Sequence, residues 1–167
     1  MSENYLMLNG KRIDLTDEQV EAIFPKNEEV EAVKKSPLER VEFGKEYFYI
    51  DDCGEVSNSF EYNLDGDRGA FECANYCTDK AMMEQRALHE TLNRLLWRYS
   101  EEHGGDSEWD GHTPHYSVYF ESNLLQVCST FYHNANGVVY FKDEETAVKA
   151  IIEVVSPFIE QHPEFVW

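Results

Sequence analysis

A short acidic stretch in the second half of the chain, "SEEHGGDSEWDGHTPHY" (residues 100–116), carries oxygen ligands at spacings that suggest metal binding. Part of it nearly matches the calcium loop of helix–loop–helix proteins: Asp106, Asp110 and Gly111 fit the first, fifth and sixth positions, and Glu108 stands at the third. The third position of that loop should be Asp or Asn, and Ser117 stands where the twelfth requires Glu. A second acidic loop, "NLDGDRG", has Arg68 at the glycine position. Neither loop supplies the oxygen shell that calcium requires, so we predict no calcium site.

Cysteine and histidine side chains offer the other possible chemistry. Two pairs have the close spacing that zinc ligands use: His112 with His115, and Cys73 with Cys77. Neither pair has a second pair at ligand spacing. Cys77 and Cys128 could act as nucleophiles beside a histidine, but no nucleophile elbow or phosphate loop accompanies them. We therefore predict no catalytic residue, metal or cofactor, and we place Cys73, Cys77 and Cys128 on strands as small core residues. A small Cys/His enzyme or metal-dependent domain is the alternative.

Charge is the strongest feature of the composition. Asp and Glu number 33 against 14 Lys and Arg, which gives a formal charge of -19. No Lys or Arg occurs from Tyr99 to Phe141. Such a charge repels nucleic acid and anionic membranes and favours a cationic partner, of which a nucleic-acid-binding groove is the commonest large example. The alternative is that the charge serves only to keep the protein in solution.

We predict that carboxylates of the uncompensated stretch bind a basic nucleic-acid-binding protein. The candidate residues are Glu101, Glu102, Asp106, Glu108 and Asp110. Asp65 and Asp67 form a second acidic edge. Trp97 lies half a turn away from the apolar stripe of its predicted helix, so either the N-terminal arm or the C-terminal tail covers it, or it contacts the partner.

The sequence predicts an N-terminal arm, residues 1–37, and a main domain, residues 38–167. "YLMLNGKRIDLTDEQVEAIF" predicts a hairpin followed by a helix that Thr16 caps, and the charged "PKNEEVEAVKKSP" predicts a linker. No basic start followed by an apolar run opens the sequence, and no apolar run approaches the roughly 20 residues that span a bilayer. We therefore expect a cytoplasmic protein with reduced cysteines.

The main domain is predicted to consist of two similar halves, about residues 38–105 and 106–167. In the first half, "KEYFYID", "EVSNSFEY" and "AFECANYC" predict strands, and "TDKAMMEQRALHETLNRLLWRYSEEHGG" predicts a long helix capped by Thr78. In the second half, "HYSVYFE", "LLQVCSTFYH" and "GVVYF" predict strands, and "DEETAVKAIIEVVSPF" predicts a helix. The expected fold is α+β: a mainly antiparallel sheet built from two β-β-β-α units, with two principal helices and a short N-terminal arm.

Four stretches resemble a known family. "GKEYFYIDDCGEVSNS" and "CTDKAMMEQRALHETLNRLLWRYSEEHGG" resemble small acidic proteins carried by phages and prophages of Gram-positive gut bacteria. The opening "LNGKRIDLTDEQVEAI" and the closing "PFIEQHPEFVW" are similar to that family as well. The resemblance covers most of the chain and implies an accessory role in a mobile element, but it implies no catalytic residues.

Small acidic phage proteins include inhibitors of host defence nucleases, anti-CRISPR proteins among them. Several of these inhibitors present carboxylates where a nuclease expects phosphates. The resemblance therefore implies a non-enzymatic inhibitor that acts in the host bacterial cytosol on a basic nucleic-acid-binding protein, such as a CRISPR effector nuclease. It would bind neither nucleic acid nor membrane directly. The alternative within this class is an acidic phage accessory or structural protein that mimics no nucleic acid.

Overall fold

The computed structural model describes residues 5–8, 11–16, 18, 36–122 and 124–167. The chain divides into two compact units, Met1–Ser36 and Pro37–Trp167. In the first unit, β1 (Tyr5–Leu8) and β2 (Lys11–Asp14) pair antiparallel, which confirms the predicted hairpin. The helix and the linker predicted for the rest of the arm lie largely outside the described residues.

The second unit contains four strands and four α-helices in its described residues. The strands are β3 (Glu46–Ile50), β4 (Val56–Phe60), β5 (His115–Glu121) and β6 (Leu124–Thr130). The helices are α1 (Asp65–Glu72), α2 (Lys80–Glu102), α3 (Glu144–Ala150) and α4 (Ser156–Gln161), with a π-helical turn (Ile151–Val155) joining the last two. The α+β class is confirmed. Within the described part, however, the strands form separate antiparallel hairpins, β3–β4 and β5–β6, rather than one continuous sheet.

Each half adds a third extended segment that pairs through a single bridge. Phe48 in β3 pairs with Cys77, and Tyr116 in β5 pairs with Phe141, both antiparallel. Two residues after each bridge, an Asp caps the following helix by accepting a backbone N–H: Asp79 from Met82 and Asp143 from Thr146. The helix α2 therefore begins after Asp79, and the prediction that Thr78 caps it is wrong. The repeated plan is present with its third strands reduced to one residue pair.

The strand predicted for "AFECANYC" is wrong over its first residues, because helix α1 continues to Glu72. The prediction of a loop at "NLDGDRG" is also wrong from Asp65 onward, since Asp67 stabilises the start of this helix by accepting the N–H of Leu64 at 3.0 Å. Cys73 follows the helix and is exposed, and so is Cys128 on β6. Of the three predicted core cysteines, Cys77 alone is buried.

The C-terminal helix is not regular, since the π-helical turn interrupts it. Pro157 has no N–H to donate to the preceding turn and cannot continue an unmodified α-helix. The Ser156 hydroxyl donates to the carbonyl of Ile151 at 2.9 Å. The turn shifts the buried face, which carries Ala147, Ala150, Val155 and Phe158. These side chains pack against Leu92, Leu96 and Tyr99 of α2 and form the core of the second half.

Candidate functional site

Glu101 and Glu102 lie in the last turn of α2, and both are exposed. The C-terminal end of a helix carries partial negative charge, so carboxylates there are unfavourable. No Lys or Arg lies in that last turn. Two cations lie close to this end of the helix, both outside the stretch predicted to be uncompensated. Arg98 lies one turn before Glu102 on α2 and lines the same pocket, and a Cβ added at Gly104 would lie 2.7 Å from Nζ of Lys142. The two carboxylates therefore form an exposed acidic end with limited local compensation.

Asp106 holds the following loop together. The Nδ1–H of His115 donates to its carboxylate at 2.8 Å, because an ionised carboxylate can only accept. The indole N–H of Trp109 donates to the other carboxylate oxygen at 3.0 Å, and the Trp109 and His115 rings stack with their centroids 3.6 Å apart. His115 is fully buried, and its Nε2 has no hydrogen-bond partner among the described residues. Asp106 therefore stabilises the folded loop as well as contributing a carboxylate to the acidic surface.

Asp110 also bonds within the loop. Its carboxylate accepts the N–H groups of Thr113 and His112 at 2.7 and 2.8 Å, and the Thr113 amide is the main cause that lowers the pKa of Asp110 to about 2. Glu108 is exposed, and its side chain contacts no charged partner in the described residues. Of the five predicted carboxylates, those of Glu101, Glu102 and Glu108 are therefore the ones that make no hydrogen bond within the described residues.

The second predicted acidic edge is smaller than expected. Asp67 is only 5% exposed, and it accepts the Tyr47 hydroxyl at 2.9 Å and the N–H groups of Tyr62 and Leu64 at 2.9 and 3.0 Å. The Tyr62 hydrogen bond is the main cause that holds its pKa below the usual value. Asp65 is fully exposed and pairs with Arg68 one turn later. The structure thus places Asp67 inside the fold and leaves Asp65 at the surface.

A buried ion pair that the sequence analysis missed organises the first half. Glu61 is 1% exposed and receives a two-pronged contact from Arg40, at 2.9 and 2.8 Å. The Tyr76 hydroxyl and the Asn63 N–H donate to the same carboxylate. The bond from Arg40 is the main cause that lowers the pKa of Glu61, while burial raises the pKa of Tyr76 to about 12. Nothing in the spacing of Arg40 and Glu61 indicated this pair.

The structure also places the residues of the Cys/His alternative. His115 is buried while His112 is exposed, and no group of three metal-ligating side chains occurs among the described residues. An Asp–His pair is part of a catalytic triad, but no hydroxyl or thiol in the described part of the chain bonds to Nε2 of His115. The Ser117 hydroxyl instead lies 3.1 Å from Sγ of Cys128.

Trp97 is 60% exposed on α2. It borders a shallow groove with Asn93, Arg94 and the segment 137–139. The C-terminal tail is fixed elsewhere on α2: the Gln85 side chain donates to the carbonyl of Glu164 at 2.7 Å and accepts the N–H of Val166 at 2.9 Å. Trp97 therefore remains a candidate contact residue.

No protein-family model, curated protein or solved structure matches this chain. The resemblance to small acidic phage proteins therefore stays a prediction. None of the described helices has both the length and the apolar character needed to cross a membrane.

Proposed function

We propose that the protein is a non-enzymatic inhibitor that binds a basic nucleic-acid-binding protein through the acidic end of α2. The contact residues are Glu101, Glu102 and Glu108, while Asp106 and Asp110 hold the loop that carries Glu108. Trp97 and Asp65 also lie at the surface, and we count them among the contact residues. The observation that carries the proposal is the pair of exposed carboxylates in the last turn of α2, where the helix dipole disfavours them and no Lys or Arg of that turn offsets them.

A cationic partner would offset the unfavourable interaction between these carboxylates and the helix dipole, and this would contribute to the binding free energy. Lys and Arg side chains of a nucleic-acid groove hold counterions or phosphates, and protein carboxylates can take their place. An Arg–carboxylate contact also has a defined fork geometry, which sets the register of the complex. The formal charge of -19 would speed the encounter of the two proteins.

The class of target follows from the resemblance to phage proteins. A mobile element gains from blocking the nucleases that attack it, and a CRISPR effector nuclease in the bacterial cytosol presents a long cationic channel. We therefore propose an anti-CRISPR-type activity without turnover, directed at the nucleic-acid channel of such an effector.

The test compares two variants that remove equal charge. The first changes Glu101, Glu102 and Glu108 to Gln, and the control changes Glu55, Glu72 and Glu160, which are exposed and have no side-chain partner in the described residues. Asp106 and Asp110 stay unchanged, because their loss would disturb the loop. Both variants are titrated against a panel of purified CRISPR effectors and other defence nucleases. Inhibition should be lost in the first variant and kept in the control. Equal inhibition by the two variants would contradict the proposal, as would inhibition that nucleic acid does not relieve.

A further inference from the structure

The two hairpins present the same edge to their third segments. Phe48 and Cys77 exchange two backbone hydrogen bonds, at 2.7 and 3.0 Å, and Tyr116 and Phe141 do the same at 3.1 and 2.7 Å. Alternate residues of a strand direct their N–H and C=O groups toward the same edge. Ile50, two residues after Phe48, and Val118, two residues after Tyr116, therefore face the third segment of their own half. They are equivalent positions.

In the first half a side chain closes this edge. The N–H of Ile50 donates to Oδ1 of Asn75 at 2.8 Å, and Nδ2 of Asn75 donates to the carbonyl of Ile50 at 2.7 Å. The amide of Asn75 thus replaces the backbone of a neighbouring strand. Its own backbone N–H is used elsewhere, on the carbonyl of Ala70. The edge beside Ile50 has no free main-chain group left for another strand.

In the second half the corresponding edge is open. Val139 stands opposite Val118, because both lie two residues from the Tyr116–Phe141 bridge. Among the described residues, the outward N–H and C=O groups of Val118 have no partner, and neither do those of Phe120. The segment before Val139 contacts α2 instead: the Asn93 side chain of α2 donates to the carbonyl of Gly137 at 3.2 Å.

Because β5 and the segment before Val139 are separated, an apolar cleft lies between them, beside the open edge. Its apolar lining is formed by Leu92, Leu96, Val118, Val138, Val139, Phe165 and Trp167. The Trp167 ring also contacts the ring of Phe120, with 5.9 Å between their centroids. An unpaired strand edge beside such a cleft has the two features of strand addition: main-chain groups that bind an extended peptide, and a pocket that receives one of its side chains.

We propose that the open edge of β5 binds an extended segment of the partner protein as an added strand. The segment pairs with Val118 and Phe120 and inserts one aliphatic side chain into the cleft. Its flanking residues are basic, because the chain has a formal charge of -19 and Glu121 is exposed at the end of β5. The basic flanks rest on the proposed function, whereas the strand addition stands without it.

The experiment measures amide hydrogen exchange of the full chain by NMR, with synthetic peptides as probes. The first probe is a blocked peptide of about seven residues, the length of a typical strand, that alternates Thr and Val between terminal Lys residues. We expect slower exchange at Val118 and Phe120 when it is added, and no change at Ile50. A second probe carries Glu at its ends. A third is methylated on its central backbone nitrogens and cannot form the strand, so it should leave exchange unchanged.

The substitution Val139→Asn provides the matched protein control, since it introduces at the second edge the amide that Asn75 supplies at the first. It should protect the Val118 amide without any peptide and weaken the Lys-ended probe at least about tenfold, as the loss of main-chain hydrogen bonds implies. If this variant does not fold, the methylated probe makes the same comparison on the natural chain.

Three results would overturn the strand addition. One is unchanged Val118 exchange with the Lys-ended and Glu-ended probes, another is equal binding of the methylated probe, and the third is perturbation confined to residues 101–110. The last would leave the acidic-surface proposal intact. Protection of Val118 to the same degree by both charged probes would support the strand addition and count against the expected basic flanks.

Discussion

The two halves of the main unit share a plan but differ in how completely their polar groups are paired. In the first half, Glu61 binds Arg40 and Tyr76, and Asn75 closes the strand edge at Ile50. In the second half, the corresponding edge at Val118 is open and a buried ring nitrogen of His115 has no partner among the described residues. A single Asn closes the first edge, so a single substitution of the same kind would be enough to close the second. Because these polar groups of the second half are left unpaired among the described residues, we expect the functional surface to lie there.

The positions Tyr47 and His115 make the same comparison at the level of side chains. Each precedes a bridge residue, each is buried, and each bonds to a carboxylate of a neighbouring segment: Tyr47 to Asp67 in α1 at 2.9 Å and His115 to Asp106 in the loop after α2 at 2.8 Å. The Tyr47 hydroxyl uses its one donor there, whereas His115 has a second nitrogen to satisfy. The carboxylate of the first half is buried, and that of the second borders the acidic surface.

The largest expected effect is the loss of the buried ion pair. Glu61→Gln removes the charge that Arg40 contacts and should lower the free energy of unfolding by about 2 kcal/mol, less than for a fully buried pair because Arg40 remains partly exposed to water. Glu55→Gln, at an exposed site, is the control. Urea unfolding at neutral pH measures both, and equal stability of the two variants would show that Glu61 is not the organising residue of the first half.

This ion pair also makes the stability dependent on pH. The pKa of Glu61 is lowered in the folded state, mainly by Arg40, so its contribution is fully present above the pKa of the unfolded chain and disappears as the pH falls through the folded value. Part of the acid sensitivity of the natural protein should therefore be absent from Glu61→Gln. Parallel stability curves for the two proteins below neutral pH would contradict this.

The next largest expected effect is that of removing the Asn75 amide, which closes the strand edge at Ile50. Asn75→Val leaves the N–H and C=O of Ile50 without their partner and should destabilise the protein by about 1–2 kcal/mol. The substitution also makes the first half resemble the second, so the Ile50 amide should exchange faster with solvent. Thermal unfolding and hydrogen exchange measure the two effects. An unchanged Ile50 amide would mean that Asn75 does not close the edge.

The reverse substitution, Val139→Asn, should have a smaller and opposite effect. An amide that pairs with Val118 adds two hydrogen bonds but removes an apolar side chain from the cleft, so we expect a gain of no more than about 1 kcal/mol. Unfolding in urea measures the gain. A large destabilisation would show that the two edges are not equivalent.

The smallest effect concerns the acidic end of α2. Changing Glu101 and Glu102 to Gln removes charges that the helix dipole disfavours and should raise the free energy of unfolding by about 0.3–1 kcal/mol. Changing Glu144 and Glu145, which lie in the first turn of α3, should lower it by a similar amount. Unfolding at low salt compares the pairs, and a loss of stability in the first would show that these carboxylates serve the fold.

Local signals were sufficient for part of this fold. The periodicity of α2 and the alternation of β3 and β5 indicated their elements, and the repeated step from a strand end through an Asp into a helix indicated the two halves. The helix α1 was missed because its glycines resemble a turn, while the contact that fixes Asp67 comes from Tyr47, twenty residues earlier. The π-helical turn has no clear signal beyond Pro157.

The candidate site shows the same limit. Exposed charge at Glu101 and Glu102 followed from a helical pattern that ends at two glycines. The inward roles of Asp106 and Asp67 depend on His115 and Tyr47, which reach them only in the folded chain. The difference between Asn75 and Val139 is visible in the sequence, but its meaning requires the pairing of each third segment with its hairpin.

The most direct test of the difference between the halves needs neither a variant nor a partner. Hydrogen exchange of the natural protein, resolved by residue, compares the Ile50 amide with the Val118 amide under identical conditions. If Asn75 closes the first edge and the second is open, Ile50 should be protected to nearly the level of the helix core while Val118 exchanges much faster. Equal protection of Val118 would show that its edge is already paired, and would contradict both the contrast between the halves and the strand addition built on it.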